Sequence, residues 1–317
     1  MNWLPLRSGA MTKHNLNTCD QRPHASTTRS APYGRYAGRL GAFAVAMGVG
    51  AAVAAVPWVA SAEPSDTGSA DGPDVSVSTN GETRVQKGTA TSTSDGTGSV
   101  AIAHGDGSSA TAIGGDRNRA IVNGDNSSAS TSRDGVSYGD GNTARVVGDD
   151  STALAGLGDG NTATVTGDGG EAQAGLGDGN TATLIGDDGL AVAGEGDGNT
   201  TTVIGDGSAA GAGEGDNNTA TVKGDGSTAG VGDGDNNTVA VHGDGSTAGA
   251  GDGDSNTATT RGDGSAAGAG DGDNNTAAVN GDGSIASAGD GDDNTATVNG
   301  DGLTAVAEGD GITVEVP

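Results

Sequence analysis

Small apolar residues alternate with Thr and other polar residues in short runs along most of this chain, and Gly-Asp bounds each run. In residues 162–166, Ala163 and Val165 alternate with Thr162, Thr164 and Thr166. The same places hold Ala144 and Val146, Ala182 and Leu184, Ala220 and Val222, Ala277 and Val279, and Ala296 and Val298. A second kind of run has Ala at one fixed place (Ala153, Ala172, Ala191, Ala210, Ala229) and usually Ala again two residues on (Ala155, Ala174, Ala193, Ala212, with Val231 an exception). Period two with small apolar residues on one side is the pattern of a half-buried strand. The position after each Val (or after Leu184 and Thr260 in its place) reads Thr166, Ile185, Ile204, Lys223, His242, Arg261, Asn280 and Asn299, so that side faces solvent. Ala-Val and Ala-Ala therefore point inward, and glycine-rich turns, which accept φ > 0, join the strands.

The two runs recur together every 19 residues, from Gly139, Gly158 and Gly177 through Gly291. Looser copies begin at Gly96 and Gly115, and a truncated one at Gly309. A fixed period of this length predicts a solenoid whose units are stable only when stacked. The fold class expected is all-β: a parallel β-solenoid, or two-sheet β-roll, of about twelve coils with two short strands each. At about 4.8 Å per coil the rod would be roughly 55–60 Å long. Ala and Val bury little area, so backbone ladders between coils must supply much of the stability.

The ends read differently. Residues 1–62 have the layout of a secretory signal peptide with a long n-region: Arg35 and Arg39, an apolar stretch from Leu40 to Val56, then Ala60-Ser61-Ala62. An uncleaved anchor is the alternative, although the apolar stretch is short for a membrane span. Residues 63–95 form a Ser/Thr/Gly-rich linker or a hairpin cap. Val75, Val77 and Val85 alternate there around Asn80-Gly81, a dipeptide of type I′ turns. The repeats occupy 96–308, and 309–317 reads as a capping strand with Ile312, Val314 and Val316 inward. The coil from Gly115 is longer than the rest. It adds a segment near Ser130–Tyr138, and Arg117, Arg119, Arg133 and Arg145 gather around it. That grouping suggests a basic loop, or a plain insertion.

Composition limits the function. The 317 residues include 63 Gly and carry a formal charge of −28. Beyond residue 62 there are 8 basic residues against 41 acidic ones, no Cys, and Tyr138 as the sole aromatic. Such charge disfavours nucleic acid or an anionic membrane and favours divalent cations or basic surfaces as partners.

Stacking would align the acidic residues in columns. One column contains Asp140, Asp159, Asp216, Asp235, Asp254, Asp273 and Asp292, and another contains Asp149, Asp168, Asp225 and Asp244. A third, confined to the C-terminal half, is Glu195, Glu214, Asp233, Asp252, Asp271 and Asp290. Unit charges about 5 Å apart repel by about 1 kcal/mol even in water. A hard cation such as Ca2+ would turn this repulsion into a tie between coils, and Asp216, Asp233, Asp235, Asp252, Asp254, Asp271, Asp273, Asp290 and Asp292 are the candidate ligands. Asp233-Gly234-Asp235-Asn236-Asn237 opens like a Ca2+ loop but lacks the glycine and final Glu of an EF-hand. The alternative is Asp as a turn residue with its carboxylate in water. An Asn column, Asn142, Asn161, Asn180, Asn199 and onward, suits a hydrogen-bonded amide ladder.

The layout resembles the Ca2+-binding β-roll repeats of secreted toxins and adhesins, which also pair two short Gly/Asp half-repeats per coil. Those repeats place Asp after the glycines, whereas Gly158-Asp159-Gly160 places it between them, so no ligand set carries over. Gly98–Gly114 is similar to the head repeats of trimeric autotransporter adhesins. The outward pairs Thr162/Thr164, Thr181/Thr183, Thr200/Thr202 and Thr219/Thr221 resemble the ice-contacting faces of β-solenoid antifreeze proteins and are candidate surface-binding residues. Lys223, His242 and Arg261 project beside that array.

No acid/base pair stands out, since Asp and Ser occur in every coil and only His104 and His242 follow the leader. The expectation is a secreted or cell-wall-associated, non-enzymatic structural or adhesive repeat protein of the cell surface, with Ca2+ as a stabiliser and envelope or host surface components as partners. The alternatives are an ice- or other ligand-binding solenoid and a disordered acidic coat.

Overall fold

The computed structural model describes residues 74–132 and 139–317. The expected leader, Arg133 and Tyr138 lie outside the described residues. Within them the chain is a parallel β-solenoid of about 12 turns with no helix. Successive strands alternate between two sheets: Thr162–Thr166 lies in the first, Glu171–Ala174 in the second, and Thr181–Ile185 returns to the first. Equivalent residues stack in register, with Thr162 opposite Thr181, Val165 opposite Leu184, and Ala172 opposite Ala191. The first sheet has 14 strands and the second 12, so the ladder hydrogen bonds run along the whole rod.

Ala and Val fill the interior as their alternation requires, in one continuous core from Ala90 to Ala307. Small inward side chains let the two sheets lie close together. One coil departs from this and compensates for it. Leu184 stands where most coils have Val, and it is fully buried. Serine lines the adjacent edge in most coils, but Gly170 and Gly189 replace it here. A Cβ on either glycine would come within 2.5 Å of a Leu184 methyl. The glycines therefore make room for the larger side chain.

Turn glycines answer a different constraint. Gly158 has φ of +111°, and a Cβ there would lie 2.2 Å from the Gly177 carbonyl oxygen of the next coil. Both the backbone conformation and the coil spacing exclude a side chain.

The N-terminal end is closed by an antiparallel hairpin. Strand Val75–Thr79 pairs with Glu82–Lys87 on one side and antiparallel with Val100–His104 on the other. Asn80 and Gly81, at φ of 50° and 84°, form the turn. The valines that mark this hairpin in the sequence do not fill the core: Val85 is exposed, and Ser76 and Ser78 point inward. Each inward hydroxyl pairs with one from strand Thr91–Ser94, Ser76 with Ser92 at 2.7 Å and Ser78 with Ser94 at 2.8 Å. That strand begins the second sheet, so the stack starts ahead of Gly96.

At the other end, strand Thr313–Val316 adds in parallel to Thr295–Asn299 and extends the first sheet instead of folding across the stack. Val314 and Val316 pack against the core, but Ile312 does not: it is 40% exposed. Ile312 occupies the place of the column Asn, and its backbone N–H donates to Asn294 Oδ1 at 3.1 Å.

Candidate functional site

Three surfaces carry polar chemistry: the two turn edges and the outer face of the first sheet. At one edge the Asn column turns inward and is buried. The Asn142 amide reaches forward to the next coil with both atoms. Its Oδ1 accepts from Asn161 N at 2.8 Å, and its Nδ2 donates to Gly158 O at 2.8 Å. The Oδ1 bond repeats coil after coil to Ile312, and the Nδ2 bond repeats as far as Asn256, after which the Asn275 and Asn294 Nδ2 groups are buried without a partner among the described residues.

The opposite edge uses serine, which the sequence reading did not single out. Ser208 Oγ accepts from Ser227 N at 3.1 Å and donates to Gly224 O at 2.6 Å, so one hydroxyl does the work of the amide. The signal was available, since Ser127, Ser151, Ser208, Ser227, Ser246, Ser265 and Ser284 share one place, but Gly-Asp-Gly-Ser reads as an ordinary turn.

The aspartate columns line both edges as expected, and each carboxylate there has a structural partner. Asp216 N donates to Asp235 Oδ1 at 2.8 Å, Asp235 N to Asp254 Oδ1 at 2.9 Å, and Asp254 N to Asp273 Oδ1 at 2.9 Å. Asp273 N continues to Asp292 Oδ1 at 3.0 Å. The third column bonds more loosely: Asp233 N reaches Asp252 Oδ1 at 3.2 Å, and Asp252 N reaches Asp271 Oδ1 at 3.3 Å; Asp290 follows in that column. One carboxylate oxygen per residue thus satisfies a turn N–H of the preceding coil. Among the described residues no three acidic, His or Cys side chains converge as a metal cage would require. Asp233 and Asp235 do share a turn, and Asp252 and Asp254 the next, so the C-terminal half has doubled acidic density at this edge.

At the N-terminal end Asp74, His104, Asp106, Asn123, Asp125 and Asp149 line a shallow depression. The Thr89 hydroxyl at 2.6 Å and its backbone N–H at 2.8 Å donate to Asp74 Oδ2 and hold that carboxyl below its usual value.

The outer face of the first sheet holds the threonine pairs. Thr162, Thr164, Thr181, Thr183, Thr200, Thr202, Thr219 and Thr221 form two columns four coils long, each side chain half-buried by its neighbours. Next to them runs a third outward column, Thr166, Ile185, Ile204, Lys223, His242 and Arg261, with Ile185 45% and Ile204 38% exposed. Lys223 lies directly opposite His242, and His242 opposite Arg261. Partial burial, then the charges of Lys223 and Arg261, lower the His242 pKa from its ordinary value.

The coil cations are segregated. Arg119, Arg145, Lys223 and Arg261 all lie on this face, and its strands from Val100–His104 to Thr295–Asn299 contain no Asp or Glu. Arg119 and Arg145 sit in strands, not in the expected loop, while Arg117 occupies a turn 3.9 Å from Asp140 Oδ2. The rod therefore has two acidic edges and, between its end strands with Glu82 and Glu315, one face without carboxylates. Comparison with known protein families, characterised proteins and solved structures gives no match to this chain.

Proposed function

We propose that this chain is an extracellular, non-enzymatic rod that acts as a spacer or adhesive surface. The observation that carries this reading is the division of labour among its polar residues. The column Asn and Ser side chains join coils, and each column aspartate gives one oxygen to the same task. What remains available is a long, repetitive exterior, suited to extended contact and not to a single reacting centre. The leader-like segment 1–62 supports export. Fractionation tests the reading: the chain should appear outside the cell or on its surface and be cleaved by protease added to intact cells. A cytosolic, protected chain would overturn it.

Ca2+ enters this proposal as a stabiliser at the doubled acidic edge, where Asp233, Asp235, Asp252 and Asp254 each keep a second carboxylate oxygen for a cation. CaCl2 should raise the thermal midpoint more than NaCl of equal ionic strength. Equal effects would reduce the role of the ion to screening.

A second reading, ice binding, is favoured by the in-register threonine pairs from Thr162 to Thr221. Thermal hysteresis that disappears in Thr183→Lys would support it, and none at millimolar protein would remove it.

A further inference from the structure

Lys223, His242 and Arg261 break a local rule. Lys223 and Arg261 lie two strands apart in one column with the His242 imidazole between them, and like charges on nearby strands of a sheet repel. Here three basic side chains stack on consecutive strands of a chain with few other cations. Neither Lys223 nor Arg261 makes an ion pair among the described residues, although acidic side chains are abundant. The other occupants of the column are Thr, Ile and Asn, any of which suits an exposed strand position. Cations that stack without ion pairs where neutral residues would serve mark a functional position.

We infer that Lys223, His242 and Arg261 form a binding site for an acidic polysaccharide lying along the rod axis. The inference rests on the adhesive reading above and gives it a partner. Charge identifies the ligand as an oxyanion, for which Arg offers a planar fork and Lys a mobile point charge. Geometry points to a polymer. The three cations span two coil rises, about 10 Å, too far for one sulfate or carboxylate to bridge. Exposed ion pairs are also weak individually, about 0.2–1 kcal/mol, so several must act together.

The neighbouring column favours a sugar chain over a nucleic acid. Thr202, Thr221 and Thr259 place hydroxyls beside the cations, and no aromatic residue among the described ones could stack a base. The charges facing His242 are Lys223 and Arg261 on the adjoining strands and Asp225, Asp244 and Asp263 at the turn two residues on. Those aspartates oppose anion binding. Binding should therefore be weak at low ionic strength, strongest when the screening length falls to about 8–10 Å, and lost near 1 M salt.

Only His104 and His242 follow the leader, so proton NMR of the two imidazoles in residues 63–317 provides a reporter and an internal control. The His242 titration should move upward with dextran sulfate, as a nearby anion stabilises imidazolium. Uncharged dextran should have no effect. Inorganic sulfate should need at least about 10-fold more sulfate groups for the same shift. K223Q/R261Q, which keeps the fold by removing like-charge repulsion, should weaken the response at least about 10-fold. An unmoved His242, an equal shift of His104, an equal response to inorganic sulfate or to oligothymidylate, or full binding by K223Q/R261Q would each overturn the proposal. A cytosolic chain that still bound dextran sulfate would remove the extracellular reading and leave the site standing.

Discussion

Replacing one buried asparagine tests how the coils hold together. Asn218 is fully buried. Its Oδ1 accepts from Asn237 N at 2.9 Å, and its Nδ2 donates to Gly234 O at 2.7 Å. Asn218→Ala removes both bonds and leaves the Asn237 N–H without an acceptor. A buried group left unsatisfied costs about 1–3 kcal/mol, and the vacated volume adds to that, so the total should be about 2–5 kcal/mol. Asn218→Ser should lose about half as much, because serine already performs this role six column places earlier, at the start of the column: Ser99 Oγ accepts from Asn118 N at 3.1 Å and donates to Gly115 O at 3.0 Å. Guanidinium unfolding followed by far-ultraviolet circular dichroism gives the ranking, and hydrogen exchange at the Asn237 amide shows whether the loss is local. Asp216→Asn, which keeps the acceptor for Asp197 N and drops one column charge, should be neutral or slightly stabilising. The reasoning is refuted if Asn218→Ala lies within about 0.5 kcal/mol of wild type, or if serine is as damaging as alanine.

Three further outcomes are expected. Gly170→Ala should destabilise by about 1–3 kcal/mol through its clash with Leu184, and Leu184→Val should relieve most of that in a double-mutant cycle; additive effects would show that the two sites do not touch. Thr260 is buried at a place that is Val in neighbouring coils, and its hydroxyl has no partner, so Thr260→Val should stabilise by about 1 kcal/mol, read as a higher unfolding midpoint. His242, whose folded pKa is lowered, takes its proton more readily in the unfolded chain. Its contribution is therefore fully present above the ordinary histidine range and is lost as pH falls through that range toward the lowered folded value. The effect is small because the ring is partly exposed, and it should vanish in His242→Asn; a midpoint whose pH dependence is unchanged by that substitution would contradict it.

The sequence makes the strands, their facing and the coil period legible because alternation and a fixed 19-residue spacing are both properties of single positions. It is less informative where one residue type serves two environments. The Asn column is legible as a tie between coils, though only the structure shows Asn142 bonding the next coil's backbone instead of the next amide, and Ser151 looks like a turn residue until stacking turns its hydroxyl inward. Val85 looks like core but faces outward, because the first coil is closed by hydroxyl pairs at Ser76 and Ser78. The acidic columns were apparent, but their role as acceptors for the N–H groups of the preceding coil depends on atomic positions. The same holds for Lys223, His242 and Arg261, whose stacking follows from the period, while their lack of carboxylate partners does not.

Small-angle X-ray scattering of residues 63–317 tests the central claim most directly, because a stacked rod and a disordered acidic chain differ greatly in size. A rod roughly 55–60 Å long should have a radius of gyration of about 20 Å and a maximum dimension near 65 Å. An unfolded chain of about 255 residues would have a radius of gyration near 55 Å. The account predicts the smaller value with a rod-like cross-section. The larger value, with a featureless distance distribution, would contradict it.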